Sequence, residues 1–150
     1  MIVISHRGNI NGVNVAQENS PNYIDSALSL GFDAEIDLWF KEAQWFLGHD
    51  YPQYIINYNW LYERRGRLWV HCKNTQAVVE LQNKDIHYFW HEQDKLTLTS
   101  KNYIWAFPSE DKIKQSIDVL PEKYPHVISD CLGICSDYVL DLKNKPYITS

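Results

Sequence analysis

Short apolar runs that stop abruptly at polar residues set the pattern of this chain. Ile2 to Ser5 is a continuous apolar run of the kind found in a fully buried parallel strand, and it ends at His6-Arg7-Gly8. Ser20-Pro21 then opens a helix carrying Tyr23, Ile24, Ala27, Leu28 and Leu30, closed by Gly31. From Asp33 the pattern changes to alternation, which puts Glu35 and Asp37 on one face of a strand and Ala34, Ile36 and Leu38 on the other. A second aromatic run, Trp45 to Leu47, leads into Gly48-His49-Asp50, where a strand end presents its side chains. Strand, helix and strand make a βαβ unit, which builds parallel sheets with ligand sites at the carboxyl ends of the strands.

The segment Tyr51 to Tyr62 predicts a loop and a short helix. Arg67 to Cys72 predicts a strand with His71 and Lys73 on one face, and Thr75 caps a helix with Ala77, Val78, Val79 and Leu81. Ile86 to Trp90 is a fourth strand, ending in His91-Glu92-Gln93-Asp94. Lys95 to Ser100, Tyr103 to Phe107, Ser116 to Leu120 and Leu132 to Ser136 follow as short strands, with a single helix over Ser109 to Gln115. About eight short strands, the early ones joined by helices, predict an α/β fold: a reduced or distorted (β/α) barrel lacking several helices in its C-terminal half. An open α/β sheet is the competing architecture. No repeat, low-complexity linker or boundary divides residues 1–150, so a single domain is expected.

Composition narrows the function. Hydrophobic residues make up 45%, which supports a real core, and aromatics make up 14%, enough to line a groove as well. A net charge of -5 without a basic cluster beyond Arg64-Arg65-Gly66-Arg67 argues against a nucleic-acid or anionic-membrane partner. Cys72, Cys131 and Cys135 have no zinc spacing and leave an odd thiol, as in a reducing cytoplasm, and Cys72 reads as a packed core thiol. No membrane span is expected, and the first residues, MIVISHRG, read as a strand.

The candidate chemistry lies at four strand ends: His6-Arg7, Glu35 with Asp37, His71 with Lys73, and His91 with Asp94, with Glu18 and His49 from intervening loops. In a parallel barrel these ends converge on one mouth. Glu35 and Asp37 side by side repel each other unless a cation sits between them, and hard oxygen ligands favour Mg²⁺ or Ca²⁺. Read blandly, they are a solvated strand face. His91 and Asp94 extend the site as substrate contacts, or form an exposed turn. Trp105 is core or pocket wall. His87 and His126 read as hydrogen-bonded structural histidines.

The order His6-Arg7-Gly8, Glu18-Asn19-Ser20, Glu35-Ile36-Asp37 and His49-Asp50 resembles the pattern of the glycerophosphodiester phosphodiesterase family. Farther on, His71-Cys72-Lys73 matches its Glu-x-Lys strand with histidine in place of glutamate, and Cys135-Ser136-Asp137-Tyr138 is similar to its closing segment without the proline. The resemblance implies a TIM-type barrel and a metal-dependent phosphodiesterase, a phosphoric diester hydrolase acting on a small-molecule, glycerol-type diester. It implies His6 and His49 as general acid and base, Glu35, Asp37 and His71 around a divalent cation, and Arg7 and Lys73 on the phosphate. Mg²⁺ is the expected ion; the imidazole of His71 also admits Mn²⁺ or Zn²⁺, and Ca²⁺ is the further alternative. A metal-free lyase that stops at a cyclic phosphate is a variant against which Glu35 and Asp37 speak. The second reading, from another class, is a non-catalytic module that binds a phosphate-bearing ligand. A shortened barrel rich in aromatics would also leave an apolar flank for a second copy, which admits a homodimer.

Overall fold

A computed structural model of the chain describes residues 1–107, 113–123 and 131–144. Ten strands form one sheet: β1 (Ile2–His6), β2 (Asp33–Lys41), β3 (Gln44–Leu47), β4 (Tyr54–Ile56), β5 (Leu68–Cys72), β6 (Tyr88–Phe89), β7 (Leu96–Leu98), β8 (Ile104–Ala106), β9 (Ser116–Val119) and β10 (Gly133–Ser136). Four helices accompany them: α1 (Pro21–Ser29), α2 (Tyr58–Arg64), α3 (Thr75–Leu81) and α4 (Val139–Asn144).

Seven strands are mutually parallel in the order β6-β5-β2-β1-β10-β9-β8, so the first strand lies between the second and the last. The sheet curls strongly. Trp69 on β5 and Trp105 on β8 are separated along the sheet by β2, β1, β10 and β9, yet their rings lie 5.8 Å apart. At the ends of the curl, the Ser100 N–H donates to the Tyr88 carbonyl at 2.8 Å and the Thr97 hydroxyl to the Trp90 carbonyl at 2.9 Å. The result is a curled half-barrel; a ring of eight parallel strands with a helix at every crossing is not seen among the described residues.

Strand alternation sorts the side chains into two cores. Ala34, Ile36 and Leu38 of β2 and Leu68, Val70 and Cys72 of β5 face outward onto Ile24 of α1, Leu61 of α2 and Ala77 and Leu81 of α3. Ile4, Trp69, Phe89, Trp105, Ile117 and Cys135 fill the concave side. Above this second core, at the carboxyl ends of the strands, the same inward positions become polar.

Several local expectations change. Within Tyr51 to Tyr62 lies the strand β4, paired antiparallel to β3, because Ile56 is buried against Trp45. The cap of α3 is Asn74, whose side chain accepts from the Ala77 N–H at 3.1 Å, and not Thr75. β7 runs antiparallel to β8, and α4 follows β10 directly. Of the helix expected over Ser109 to Gln115, residues 109–112 lie outside the described residues; Lys114 and Gln115 form a turn. His126 also lies outside them.

Candidate active site

β1 delivers His6 and Arg7. Arg7 has a φ of 54° and Gly8 a φ of 88°, a backbone that costs roughly 1 kcal/mol or more for a residue with a Cβ. The strain at Arg7 is held by two main-chain bonds, its N–H donating to the Glu35 carbonyl at 3.1 Å and its carbonyl accepting from the Asn19 N–H at 3.0 Å. At Gly8 a Cβ would lie 2.7 Å from the Tyr23 ring, so glycine alone lets α1 pack this close.

β2 and β5 deliver the cluster. Glu35, Asp37 and His71 each offer a ligand atom, all within 4.8 Å of one another, as inward neighbours on paired strands should. Asn19 holds Asp37 twice, its side-chain amide donating to Oδ2 and its carbonyl accepting from the Asp37 N–H, both at 2.9 Å. Arg7 Nε is 3.1 Å from Asp37 Oδ2 and Nη1 is 3.3 Å from Glu18 Oε2. Arg7 is thus first of all the counter-charge of two carboxylates. Lys73 Nζ and His71 Nδ1 lie 3.9 and 3.2 Å from Asp37 Oδ1.

This donor set could hold a divalent cation. Glu35 Oε2 and Asp37 Oδ1 are buried without an aligned hydrogen-bond donor. His71 Nε2 faces the His91 carbonyl at 3.2 Å; a carbonyl only accepts, so in the neutral ring the lone pair is on Nδ1, beside both carboxylates. Burial and the Asp37 charge push the Glu35 carboxyl up. Burial acts on Asp37 in the same sense, but His71, Arg7 and Lys73 outweigh it and hold Asp37 far below the usual carboxylate range. Two carboxylates buried side by side repel, and a cation between them would relieve that repulsion as a proton does.

The two histidines sit differently. His6 Nδ1 is 2.8 Å from Asp137 Oδ1, and Nε2 is 3.9 Å from Glu35 Oε2. Burial lowers the His6 pKa, but the bond to Asp137 and the Glu35 charge carry it above its ordinary value. Asp137 is itself fixed, accepting from Asn9 Nδ2 at 2.8 Å while its N–H donates to Glu122 Oε1 at 2.9 Å. His49 follows β3, and its Nδ1 is 2.8 Å from the exposed Asp50. Gly48 is required there, since a Cβ would stand 2.1 Å from the Tyr51 carbonyl. Burial and then the Arg7 charge lower the His49 pKa.

A cavity of about 520 Å³ is lined by His6, Arg7, Glu18, Glu35, His49, His71, Lys73, His91 and Trp105, with Asp37 buried against Arg7 and His71. His91 stacks on His71 at 4.9 Å, and burial with the His71 and Lys73 charges pushes its pKa down to about 4. Asp94 is exposed, does not line the cavity, and reaches the site only through its charge on His91. Asn9, Asn19 and Asp137 join the site beyond the expected set, through their bonds to Asp137, Asp37 and His6 respectively. For Asp137 the sequence signal is a polar residue directly after the buried run Gly133–Ser136; Asn9 and Asn19 lie in the β1–α1 loop and carry no such signal. Cys72 is buried in the outer core with its thiol pushed up to about 12, and His87 is buried with Nε2 2.7 Å from the Thr99 hydroxyl. No helix among the described residues is long and apolar enough to cross a membrane. No family model, curated protein or solved structure matches this chain.

Proposed function

We propose that the chain is a metal-dependent phosphodiesterase of the glycerophosphodiester type, built on a reduced TIM-type barrel. The observation that carries this is the placement of two histidines, one paired with a buried carboxylate and one not, in a single cavity with the Glu35, Asp37 and His71 cluster. A divalent cation on that cluster, Mg²⁺ or Mn²⁺ by its oxygen-rich donors, would neutralise charge on the non-bridging phosphate oxygens.

The chain's own groups do the rest. Asp137 holds the His6 ring and favours its imidazolium, so His6 Nε2 is the proton donor to the leaving oxygen. His49, lacking a buried carboxylate and lying near Arg7 and Lys73, stays neutral and takes the proton from the attacking hydroxyl. Lys73 supports the phosphate from the same wall, while Arg7 keeps the carboxylates in place. The neighbouring hydroxyl of the glycerol attacks phosphorus, and water then opens the cyclic phosphate. A pure phosphate-binding module would have no use for two histidines driven in opposite directions.

The test is phosphorus NMR of glycerophosphocholine with the protein and Mg²⁺, Mn²⁺, Ca²⁺ or Zn²⁺ in turn. A cyclic phosphate that gives way to glycerol phosphate is expected. No turnover of this or any other glycerol diester with any of the four ions would sink the proposal, and cation-free binding of the phosphate compound would favour the module.

A further inference from the structure

His6 and His49 reach the cavity by different means. The His6 ring is placed by its own bond to the buried Asp137. The ring partner of His49 is the exposed Asp50, which offers only a weak hold in water. The main chain before His49 is held more firmly. The Gly48 N–H donates to the Asp37 carbonyl at 3.1 Å, and the Gly48 carbonyl accepts from the indole Nε1–H of Trp39 at 2.6 Å. That carbonyl belongs to the peptide unit joining Gly48 to His49. The unit is planar, so a bond that restrains its oxygen also restrains the nitrogen and Cα of His49.

The indole stands on a firm base. Alternation puts Trp39 on the face of β2 that carries Glu35 and Asp37. The strand around it is held along both edges. On one edge Trp39 is paired with Phe46 of β3. On the other, the Leu38 carbonyl accepts from the Lys73 N–H at 2.8 Å, and the Asn74 side chain accepts from the Phe40 N–H at 3.2 Å and donates to the Phe40 carbonyl at 2.8 Å. The carboxylates of the cation cluster, Lys73 and the indole are thus tied to one stretch of strand. Trp39 does not line the cavity of His6 and His49; it lines a neighbouring one of about 390 Å³ with Pro52, Asn74 and Gln76. Its influence on bound substrate therefore passes through Gly48.

We infer that Trp39 is a positioning residue: its indole N–H holds the Gly48–His49 peptide to the strand of the cluster carboxylates and so sets His49 within reach of the attacking hydroxyl. The inference rests on the phosphodiesterase reading for what His49 does; the placement itself does not depend on turnover. Gly48 makes such a hold necessary. A Cβ there would meet the Tyr51 carbonyl, so the position must be glycine, and glycine has the freest backbone of all residues. The bonds on its N–H and its carbonyl supply the restraint that a side chain cannot. The N–H of the indole is the part that matters, because a phenyl ring would fill much of the same space and leave the Gly48 carbonyl to water.

Trp39→Phe tests this, together with a variant of nearly unchanged shape in which benzothienylalanine replaces Trp39 and sulfur takes the place of the indole N–H. Both should lower kcat for glycerophosphocholine with Mg²⁺ by roughly tenfold to hundredfold, while KM and the calorimetric affinity for the cation stay near those of the parent. The loss should be the same with a glycerol diester of p-nitrophenol, whose oxygen leaves without a proton. Recovery on that diester would show that Trp39 acts through His6, and a weakened cation affinity that it acts through Asp37; either result overturns the inference, as does an unchanged kcat. The NMR signals of the His49 ring, taken without substrate or cation, give a readout free of catalysis. In both variants its proton shifts should move toward those of free histidine. Unmoved signals in a folded variant would overturn the inference and leave the phosphodiesterase reading intact. Moved signals in a protein that turns over no diester would keep Trp39 as the hold on His49 and remove the phosphodiesterase.

Discussion

His6 and His49 line one cavity and live in opposite surroundings. The His6 side chain is 12% exposed with Nδ1 against the buried Asp137, whereas that of His49 is 40% exposed and its carboxylate neighbour, Asp50, is 83% exposed. A buried carboxylate holds its charge close to an imidazole with little screening, so it favours the cation; an exposed one is screened by water and leaves the nearby Arg7 and Lys73 to disfavour it. His87 completes the series. It is buried with no carboxylate partner among the described residues, facing the Thr99 hydroxyl, and its pKa is pushed down to about 4 by burial first and then by the Lys101 charge. Burial, here helped by a nearby cation, drives histidine neutral, and a carboxylate partner decides whether that is reversed.

The largest predicted effect breaks the pair outright. His6→Ala and His49→Ala should each lower kcat/KM for glycerophosphocholine by roughly a hundredfold to ten-thousandfold, while the affinity for a divalent cation, followed by calorimetry, stays near that of the parent. Loss of cation binding in either variant would mean that the histidine is a ligand.

Next, Asp137→Asn should cost roughly tenfold to hundredfold in kcat/KM and change the pH profile in a definite sense. The Asp137 charge raises the His6 pKa, so its removal lets the proton go at lower pH and moves the alkaline limb of the profile toward acid. An unmoved limb would show that His6 is not the group whose protonated form is required.

The smallest effect concerns stability. The folded-state pKa of His87, about 4, lies below its ordinary value of 6.5, so the unfolded chain binds more protons between these limits. The contribution of neutral His87 is therefore fully present above pH 6.5 and is lost as pH falls toward 4. Thermal unfolding followed by circular dichroism should show a lower Tm at pH 5 than at pH 7, and His87→Gln should reduce that difference.

Much of the site was legible because alternation on a strand is a local property. Glu35 and Asp37 share a face, and His71 and Lys73 share another, wherever the strands go. That the two faces meet follows from the parallel pairing of β2 and β5, which only the fold shows. The turn that joins β2 to the antiparallel β3 was harder to read, because it uses Glu42 and Ala43 at φ of 52° and 60° where Asn-Gly would have announced it. Asp137 belongs to the motif-like run Cys135-Ser136-Asp137-Tyr138, but its pairing with His6 spans 131 positions in the chain and depends on β10 closing beside β1. Asn19 stands just before the Ser20-Pro21 helix start, and only the fold brings its amide onto Asp37. Asp94 was placed at the site by its spacing from a strand end, yet the turn carries it away from the cavity.

The most direct test of the account compares leaving groups in the two histidine variants. With a glycerol diester of p-nitrophenol, whose oxygen leaves without a proton, His6→Ala should regain most of its lost kcat/KM, whereas His49→Ala should remain as impaired as with glycerophosphocholine. Recovery of His49→Ala instead, or equal impairment of both variants on both diesters, would contradict the assignment of His6 as the acid and His49 as the base.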